Sequence, residues 1–356
     1  MLPMQTIGLD IGGANLKAAS FDGTAFSQSF ELWRAPDRLP AELRRLLAQF
    51  PPAEKLAVTM TAELADCFST KAEGVAAILA AVSEVADKTP VVVWQTTGEF
   101  VSVEQAIATP LQTAASNWQA LATWSGQIYP AGRSLLIDIG STTTDLIPID
   151  DGKPCPRGLT DPQRLVTGEL VYTGVRRTPL CALLQEVDWQ GATCRVAAEL
   201  FATMLDVFLL LGKIPENPED TATADGRPAT RAAAHNRLAH LLCCDRTELP
   251  LEDAVVIAWQ FVGAQLRLLR QAVEQVVGEA ENLSGVVISG SGSFLAWLLV
   301  KVHPRLRSAR RIALAELLSP QAADAACAFA VAQLAEMCEN NFSTGHAGRG
   351  TFYHRW

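Results

Sequence analysis

None of the eight cysteines makes a Cys-x-x-Cys pair, and the five histidines show no metal-ligand spacing, so a zinc site or a metallo-hydrolase cluster is not expected. Clustered basic charge is missing as well. The 29 Lys and Arg stand against 38 Asp and Glu, a formal charge of −9, and Arg44-Arg45 and Arg310-Arg311 are too short for a nucleic-acid footprint. No long apolar run is present. The most apolar helical stretch, around 201–214, carries Asp206 and Lys213 and is too short to span a bilayer, and 286–302 is broken by glycines. The chain enters a strand-like segment at once, without a basic leader or cleavage site, so the cytoplasm is the expected location. The scattered cysteines lie mostly in apolar segments and are expected to be small core residues. What remains is a chain of 356 residues, 49% hydrophobic, long enough for two domains with their own cores.

Two short turns carry most of the information. Thr6-Ile7-Gly8-Leu9-Asp10-Ile11-Gly12-Gly13-Ala14-Asn15-Leu16-Lys17 and Leu135-Leu136-Ile137-Asp138-Ile139-Gly140-Ser141-Thr142-Thr143-Thr144-Asp145 each read as strand, tight turn, strand. Each places an aspartate at the end of an apolar run, just before the turn. Glycine lets backbone approach a bound group closely, and turn N–H groups with hydroxyls can cradle phosphate oxygens. The aspartates would face that cradle, where a hydrated Mg²⁺ belongs. Gly-rich hairpins are also ordinary punctuation, but two copies in two halves of one chain point to a cleft that grips a polyphosphate from both sides. A third turn, Ser289-Gly290-Ser291-Gly292-Ser293, follows a buried strand and precedes an apolar helix.

Strands are expected near 6–11, 16–21, 26–32, 55–60 and 91–95. Helices are expected near 40–50, 72–87, 111–129, 197–211, 230–244, 251–277 and 320–340. The early hairpins followed by alternating helices give a mixed sheet covered by helices. The expected domains are 1–130 and 131–342, followed by a flexible Gly-rich tail over 343–356 that includes His346 and His354.

With Thr59-Met60-Thr61-Ala62-Glu63-Leu64-Ala65-Asp66-Cys67-Phe68, Ala115-Ser116-Asn117-Trp118, the second hairpin, Tyr172-Thr173-Gly174-Val175-Arg176-Arg177-Thr178-Pro179 and Thr223-Ala224-Asp225-Gly226-Arg227, the chain resembles hydantoinase A/oxoprolinase-related proteins of the tetrahydromethanopterin-linked one-carbon pathway. These belong to the actin/sugar-kinase/heat-shock-protein ATPase superfamily. The resemblance implies an α/β, two-domain actin-like ATPase (ribonuclease H-like) fold with a central interdomain cleft. It implies a transferase of methanofuran-type cofactor biosynthesis that joins γ-glutamyltyramine to a furanylmethyl diphosphate and releases diphosphate. An ATP-dependent kinase or an ATP-driven amidohydrolase is the alternative, and a nucleotide-switched regulatory protein is a third class.

Alkylation of a phenol by such a diphosphate needs a neutralised leaving group, a base and exclusion of water. Asp10 and Asp138 are the expected catalytic and metal residues for Mg²⁺, with ATP as a further candidate ligand. Gly12, Gly13, Asn15, Lys17, Gly140, Ser141, Thr142 and Thr143 are the expected phosphate contacts. Glu63 or Asp66, at a strand end, is a candidate base; either would otherwise flank a helix. Arg176 and Arg177 are candidates for an anion fork, and Gly290, Ser291 and Gly292 for packing against a ligand. Lys17 is either a neutralising cation or a solvated lysine. Asp145 is either a supporting metal residue or a surface charge, and Asp225 and Arg227 belong to a lid or a plain turn. The partners expected are small molecules, a diphosphate and a phenol, with neither nucleic acid nor membrane; a homodimer is left open.

Overall fold

The computed structural model describes residues 5–278 and 283–344. The expected tail lies outside the described residues from position 345 onward, and so do His346 and His354. In chain order the first stretch contains β1 (Gln5–Ile11), β2 (Asn15–Ser20), β3 (Ala25–Ser29), α1 (Leu39–Leu47), β4 (Ala53–Met60), α2 (Lys71–Ala86), β5 (Val91–Trp94), β6 (Phe100–Val101), α3 (Val103–Ala108), α4 (Pro110–Thr113) and α5 (Asn117–Ser125). The second contains β7 (Arg133–Ile139), β8 (Thr144–Asp150), β9 (Lys153–Pro154), α6 (Asp161–Thr167), β10 (Leu170–Val171), β11 (Glu186–Trp189), β12 (Ala192–Arg195), α7 (Met204–Leu210), α8 (Arg231–His240) and α9 (Leu251–Val277). It continues with β13 (Gly285–Ser289), α10 (Ser293–Val302), β14 (Arg310–Ala313) and α11 (Leu314–Leu317). Two helices close the described chain, α12 (Pro320–Asp324) and α13 (Ala326–Thr344).

Two compact units result, Met1–Gln127 with Leu317–Trp356, and Ile128–Glu316. Their sheets share one plan. In the first the order is β3-β2-β1-β4-β5-β6, and in the second β10-β8-β7-β13-β14, with β9 beside β8. The leading strand of each sheet pairs antiparallel with the next strand and parallel with a later one: β1 with β2 and β4, β7 with β8 and β13. The repeat visible in the two hairpins is thus a repeat of whole sheets. This is a two-unit α/β architecture in which each unit has a mixed sheet of the same plan.

Alternation along β1 explains how its two faces are used. Ile7, Leu9 and Ile11 join a core with α1 and α2, whose buried positions include Leu43, Leu46, Val75, Ile78, Leu79 and Val82. Thr6, Gly8 and Asp10 therefore point to the opposite face. There α13 lies across the sheet, with Val331, Leu334 and Ala335 packed against Ala57, Trp94 and Ala120 of β4, β5 and α5. Thr6 Oγ1 donates to Glu336 on the same helix at 2.8 Å. Trp118 is buried and Trp124 meets Phe329 edge-on at 5.3 Å, so both tryptophans are packing anchors.

The structure departs from the expected elements where tertiary contacts or caps decide. The last helix, α13, packs with the first unit; the sequence allows a helix near 320–340 to reach back over the first domain, although the expected second domain of 131–342 includes it. Its small-residue face lies close against β1 at Gly8. The expected 197–211 helix begins only at Met204, because Thr203 and Asp206 form a reciprocal capping box there. The expected 111–129 helix is split, since Ala115 has φ 48° and interrupts it before α5. The β11–β12 hairpin turns through Gln190 and Gly191, both at positive φ. Cys155, Cys243 and Cys338 are exposed, contrary to the expectation of core cysteines, and Cys327 is buried.

Gly8 sets how closely α13 can lie. A Cβ there would stand 1.9 Å from the Ala328 carbonyl oxygen and 2.9 Å from the Ala332 nitrogen, both helix backbone. Gly8→Ala should therefore destabilise the first unit by about 1–3 kcal/mol as the helix is pushed off the sheet. Thermal unfolding with limited proteolysis of the C-terminal helix checks this; an unchanged melting temperature would show that α13 does not need the close approach.

Candidate functional site

The first hairpin is closed by Gly12 N–H donating to the Asn15 carbonyl at 3.0 Å. A Cβ on Gly12 would meet the Asn15 oxygen at 3.0 Å and Thr61 Oγ1 at 3.6 Å, whereas one on Gly13 would meet nothing within 4 Å. The turn is therefore tight on its inner side and open above Gly13. Asn15 is exposed. Asp10 stands opposite Lys17 in the β1–β2 register, on the face covered by α13. It is 9% exposed, and its Oδ1 has no hydrogen-bond partner among the described residues. Burial pushes its carboxyl up from 3.8 to about 6, against the opposing pull of the Lys17 ammonium and a hydrogen bond from Asn117.

Lys17 is held in place. Its Nζ donates to the Asp324 carbonyl and lies 3.2 Å from Asp324 Oδ1, at the end of α12. This fixes a cation beside Asp10 rather than leaving it to solvent. Asn117, the first residue of α5, was not among the residues singled out from the sequence. Its signal was the Ala115-Ser116-Asn117-Trp118 segment, where the left-handed Ala115 turns the chain so that the helix begins beside Asp10.

In the second unit Gly140 N–H donates to the Thr143 carbonyl at 2.9 Å. The motif around Thr173 is stacked on this turn. Val175 N–H donates to Gly140 O at 3.0 Å, and Arg176 and Arg177 N–H both donate to Ser141 O at 2.9 Å. A Cβ on Gly174 would lie 2.5 Å from Gly140 O. Buried Gln265 of α9 secures the segment by donating to Thr173 Oγ1 and Gly174 O, each at 2.9 Å. The glycine turn after β13 arrives at the same place. Gly292 N–H donates to Ile139 O at 2.8 Å, and a Cβ on Gly290, whose φ is 88°, would lie 2.5 Å from Asp138 Oδ1. Asp138, Ser141, Thr142, Thr143, Gly174, Gly290 and Gly292 thus converge within one unit. Ser141, Thr142 and Thr143 are half-buried, and Ser291 is exposed.

Several other candidates are engaged by neighbouring residues. Asp145, across from Asp138, is ion-paired to the buried Arg164, which also lies 3.5 Å from Asp161. Burial pushes the Asp145 carboxyl up while Arg164 pulls it down. Arg176 is ion-paired to Asp220, so one arm of the expected fork is already engaged; Arg177 is exposed. Arg237 donates to Asp206 at 2.7 Å and to Asp225 at 3.0 Å, so Asp225 ties its loop to α8 as an anchored turn. Glu63 is 1% exposed with Lys71 at 4.0 Å, under the first turn of α2, where Gly74 allows the close approach of its carbonyl. Asp66 is exposed.

Among the described residues no three His, Cys, Asp or Glu side chains gather as a metal cluster. Magnesium does not need one, since it keeps several waters and is held by one or two carboxylates with substrate phosphates. The unpartnered, buried Oδ1 of Asp10 beside an open turn fits such an ion. No helix among the described residues is long and apolar enough to cross a membrane.

A model of the hydantoinase/oxoprolinase family matches residues 54–337. The chain is 35% identical over 295 residues to the (4-{4-[2-(γ-L-glutamylamino)ethyl]phenoxymethyl}furan-2-yl)methanamine synthase of Methanocaldococcus jannaschii, covering 82% of this chain and 87% of that protein. It is 36% identical over 158 residues to the protein of the same name from Methanococcus vannielii, covering 44% of this chain and 70% of that one. Among solved structures it is similar to nucleotide-free acetone carboxylase, with a TM-score of 0.48 and 12% identity over 92% of this chain and 70% of that one.

The raised Asp10 carboxyl has a stability consequence with a definite sign. The unfolded group ionises near 3.8 and the folded one near 6, so the folded state holds the proton more tightly. Stability therefore falls as pH rises from about 4 to 6, and above that window the buried charge costs about 3 kcal/mol. Asp10→Asn, measured with a chelator present, should melt higher than the parent chain at pH 7 and no higher at pH 4. Equal melting temperatures at pH 7 would show that the carboxylate is not penalised by burial.

Proposed function

The chain belongs to the hydantoinase/oxoprolinase family, and from that premise we propose that it is a transferase of methanofuran-type cofactor biosynthesis, joining γ-glutamyltyramine to a furanylmethyl diphosphate. The relative that spans most of the chain bears the name of the synthase for that phenoxymethylfuran product. Within the molecule, the observation that carries the reading is Asp10: a buried carboxylate with one oxygen left without a protein partner, beside a fixed lysine and an open glycine turn.

The bond changes are simple. The phenol oxygen forms a bond to the furanylmethyl carbon, the bond from that carbon to the diphosphate oxygen breaks, and the phenol proton passes to a base. A phenol starts near pKa 10, so the proton must be drawn away as the ether bond forms. Departing diphosphate carries the charge that most needs stabilising. Magnesium, when bound, would supply the Lewis acid for it, held through Asp10. Gly12 and Gly13 let oxygens approach the backbone closely, and Lys17 keeps positive potential at the turn while its tie to Asp324 limits how far it can move. The second unit carries an equivalent turn, in which Asp138 and the hydroxyls of Ser141, Thr142 and Thr143 offer the same donor and acceptor types. Its backbone is braced by three hydrogen bonds from 175–177, so its shape is set before any ligand arrives.

Mass spectrometry of products from the purified protein with both substrates and Mg²⁺ tests the reading, with release of diphosphate measured alongside. The ether should form only when all three components are present, and Asp10→Asn should lower turnover by about 10²-fold or more. Steady ATP hydrolysis without ether formation would move the protein to the kinase or amidohydrolase class.

A further inference from the structure

The second unit contains a cavity of about 510 Å³ that the hairpins do not account for. That size lies in the range of small-molecule sites. It is built by α7, α9, α10 and β14. Phe208 and Phe294 meet edge-on in its wall with centroids 4.9 Å apart, and Phe208 is fully buried, so this side is rigid. Trp259 of α9 and Trp297 of α10 also line it, and Trp259 is 47% exposed, a large apolar ring left partly in water. Lys213, Lys301 and Arg311 complete the lining, and no carboxylate is part of it. Arg311 lies over the Trp297 ring at 5.9 Å, and Lys213 and Lys301 make no ion pair or side-chain hydrogen bond among the described residues.

Three cations gathered without a counter-charge are notable in a chain whose formal charge is −9. Like charges placed together cost energy unless an anion joins them. Exposed tryptophan beside them offers a flat face for a ring, and the arginine already stacked on Trp297 would extend that face. The cavity also begins at Phe294 and Leu295, immediately after the Gly290–Gly292 turn that packs on Asp138 and Ile139. Its position in the chain links it to the second hairpin through the first turn of α10.

We propose that this cavity binds the aromatic ring of a transfer substrate that also carries an anionic group, the ring against Trp259 and Trp297 and the anion on Lys213, Lys301 and Arg311. The proposal rests on the transferase reading above, because both substrates named there have this chemistry: a phenol ring with a carboxylate, and a furan ring with a diphosphate. Neither ring alone nor anion alone would satisfy both halves of the lining.

Calorimetric titration with a chelator present tests it, since removal of metal weakens diphosphate binding at the hairpin turns and the cavity variants below isolate what remains at the cavity. The probes are γ-glutamyltyramine, the furanylmethyl diphosphate, N-acetyltyramine (ring without anion), inorganic diphosphate (anion without ring) and ATP. At least one of the first two should bind, and N-acetyltyramine and inorganic diphosphate should bind about tenfold more weakly or less, the loss expected for one contact to a charged group. Trp259→Ala and Arg311→Gln, both at partly exposed positions, should each weaken that binding by about tenfold. Binding of neither substrate, or affinities unchanged in both variants, overturns the proposal. Variant-sensitive binding of ATP alone also overturns it, because the cavity would then hold a nucleotide base. Binding is read without turnover, so the two readings fail separately. A protein that forms no ether but shows the variant-sensitive binding loses the reaction and keeps the site. One that forms ether with unchanged KM in both variants keeps the reaction and loses the site.

Discussion

The close contact between α13 and β1 at Gly8 governs the chemistry of the first unit. A helix can lie this near a strand only where the strand has no Cβ. Once it does, the face of β1 that carries Thr6, Gly8 and Asp10 is shut away from water. Asp10 is then a carboxylate at the end of a buried strand, and desolvation raises its proton affinity. The same C-terminal segment supplies Asp324, which holds Lys17 beside that carboxylate. One packing decision thus sets the burial of the acid and the position of the cation that partly offsets it. A cation arriving at Asp10 would offset the remaining cost of its burial, as Lys17 already does in part.

Much of this was legible in the sequence, and the reasons differ by element. The hairpins were readable because glycine and alternation act locally: the pattern that makes β1 and β2 also makes their turn. The long helix α9 was readable to its ends because its apolar stripe is uninterrupted. The place of α13 was legible in part: a last helix near 320–340 could reach back over the first domain, but the closeness of its approach depends on Gly8, where a Cβ would meet the helix backbone. The start of α7 depended on which threonine caps it, and Thr203 with Asp206 decides that through a reciprocal pair of hydrogen bonds. Arg176 looked like a free anion fork, yet its partner Asp220 lies in a loop far along the chain, a relation that no spacing encodes. Asn117 was visible as part of a motif but not as a neighbour of Asp10, since that contact depends on the left-handed Ala115 before it.

The two hairpins repeat one another in backbone and differ in charge. Register places Lys17 opposite Asp10, and Asp145 opposite Asp138. The first aspartate therefore has a cation as its cross-strand neighbour, and the second has a carboxylate. In the second unit the extra negative charge is absorbed by Arg164, which is buried and shared with Asp161. A buried arginine missing its partners would be costly, so Asp145 is held in place by that pairing. The repeat has thus been kept where backbone geometry matters and released where charge does.

That asymmetry gives the two turns different local chemistry. The first turn has a fixed cation, an open glycine and an acid whose protonation responds to burial, features suited to a highly charged leaving group. The second has a turn braced from behind by the Thr173–Arg177 segment and Gln265, and from the side by the glycines after β13. Those same glycines lead straight into α10 and its aromatic cavity. A rigid turn followed by a ring-binding wall is suited to orientation rather than to charge neutralisation. Alkylating a phenol calls for a stabilised leaving group and for exclusion of water from the reacting carbon. The two sheets share one strand plan, and the residue paired with the hairpin aspartate is a lysine in one and an aspartate in the other, so the two turns differ in local charge while agreeing in backbone.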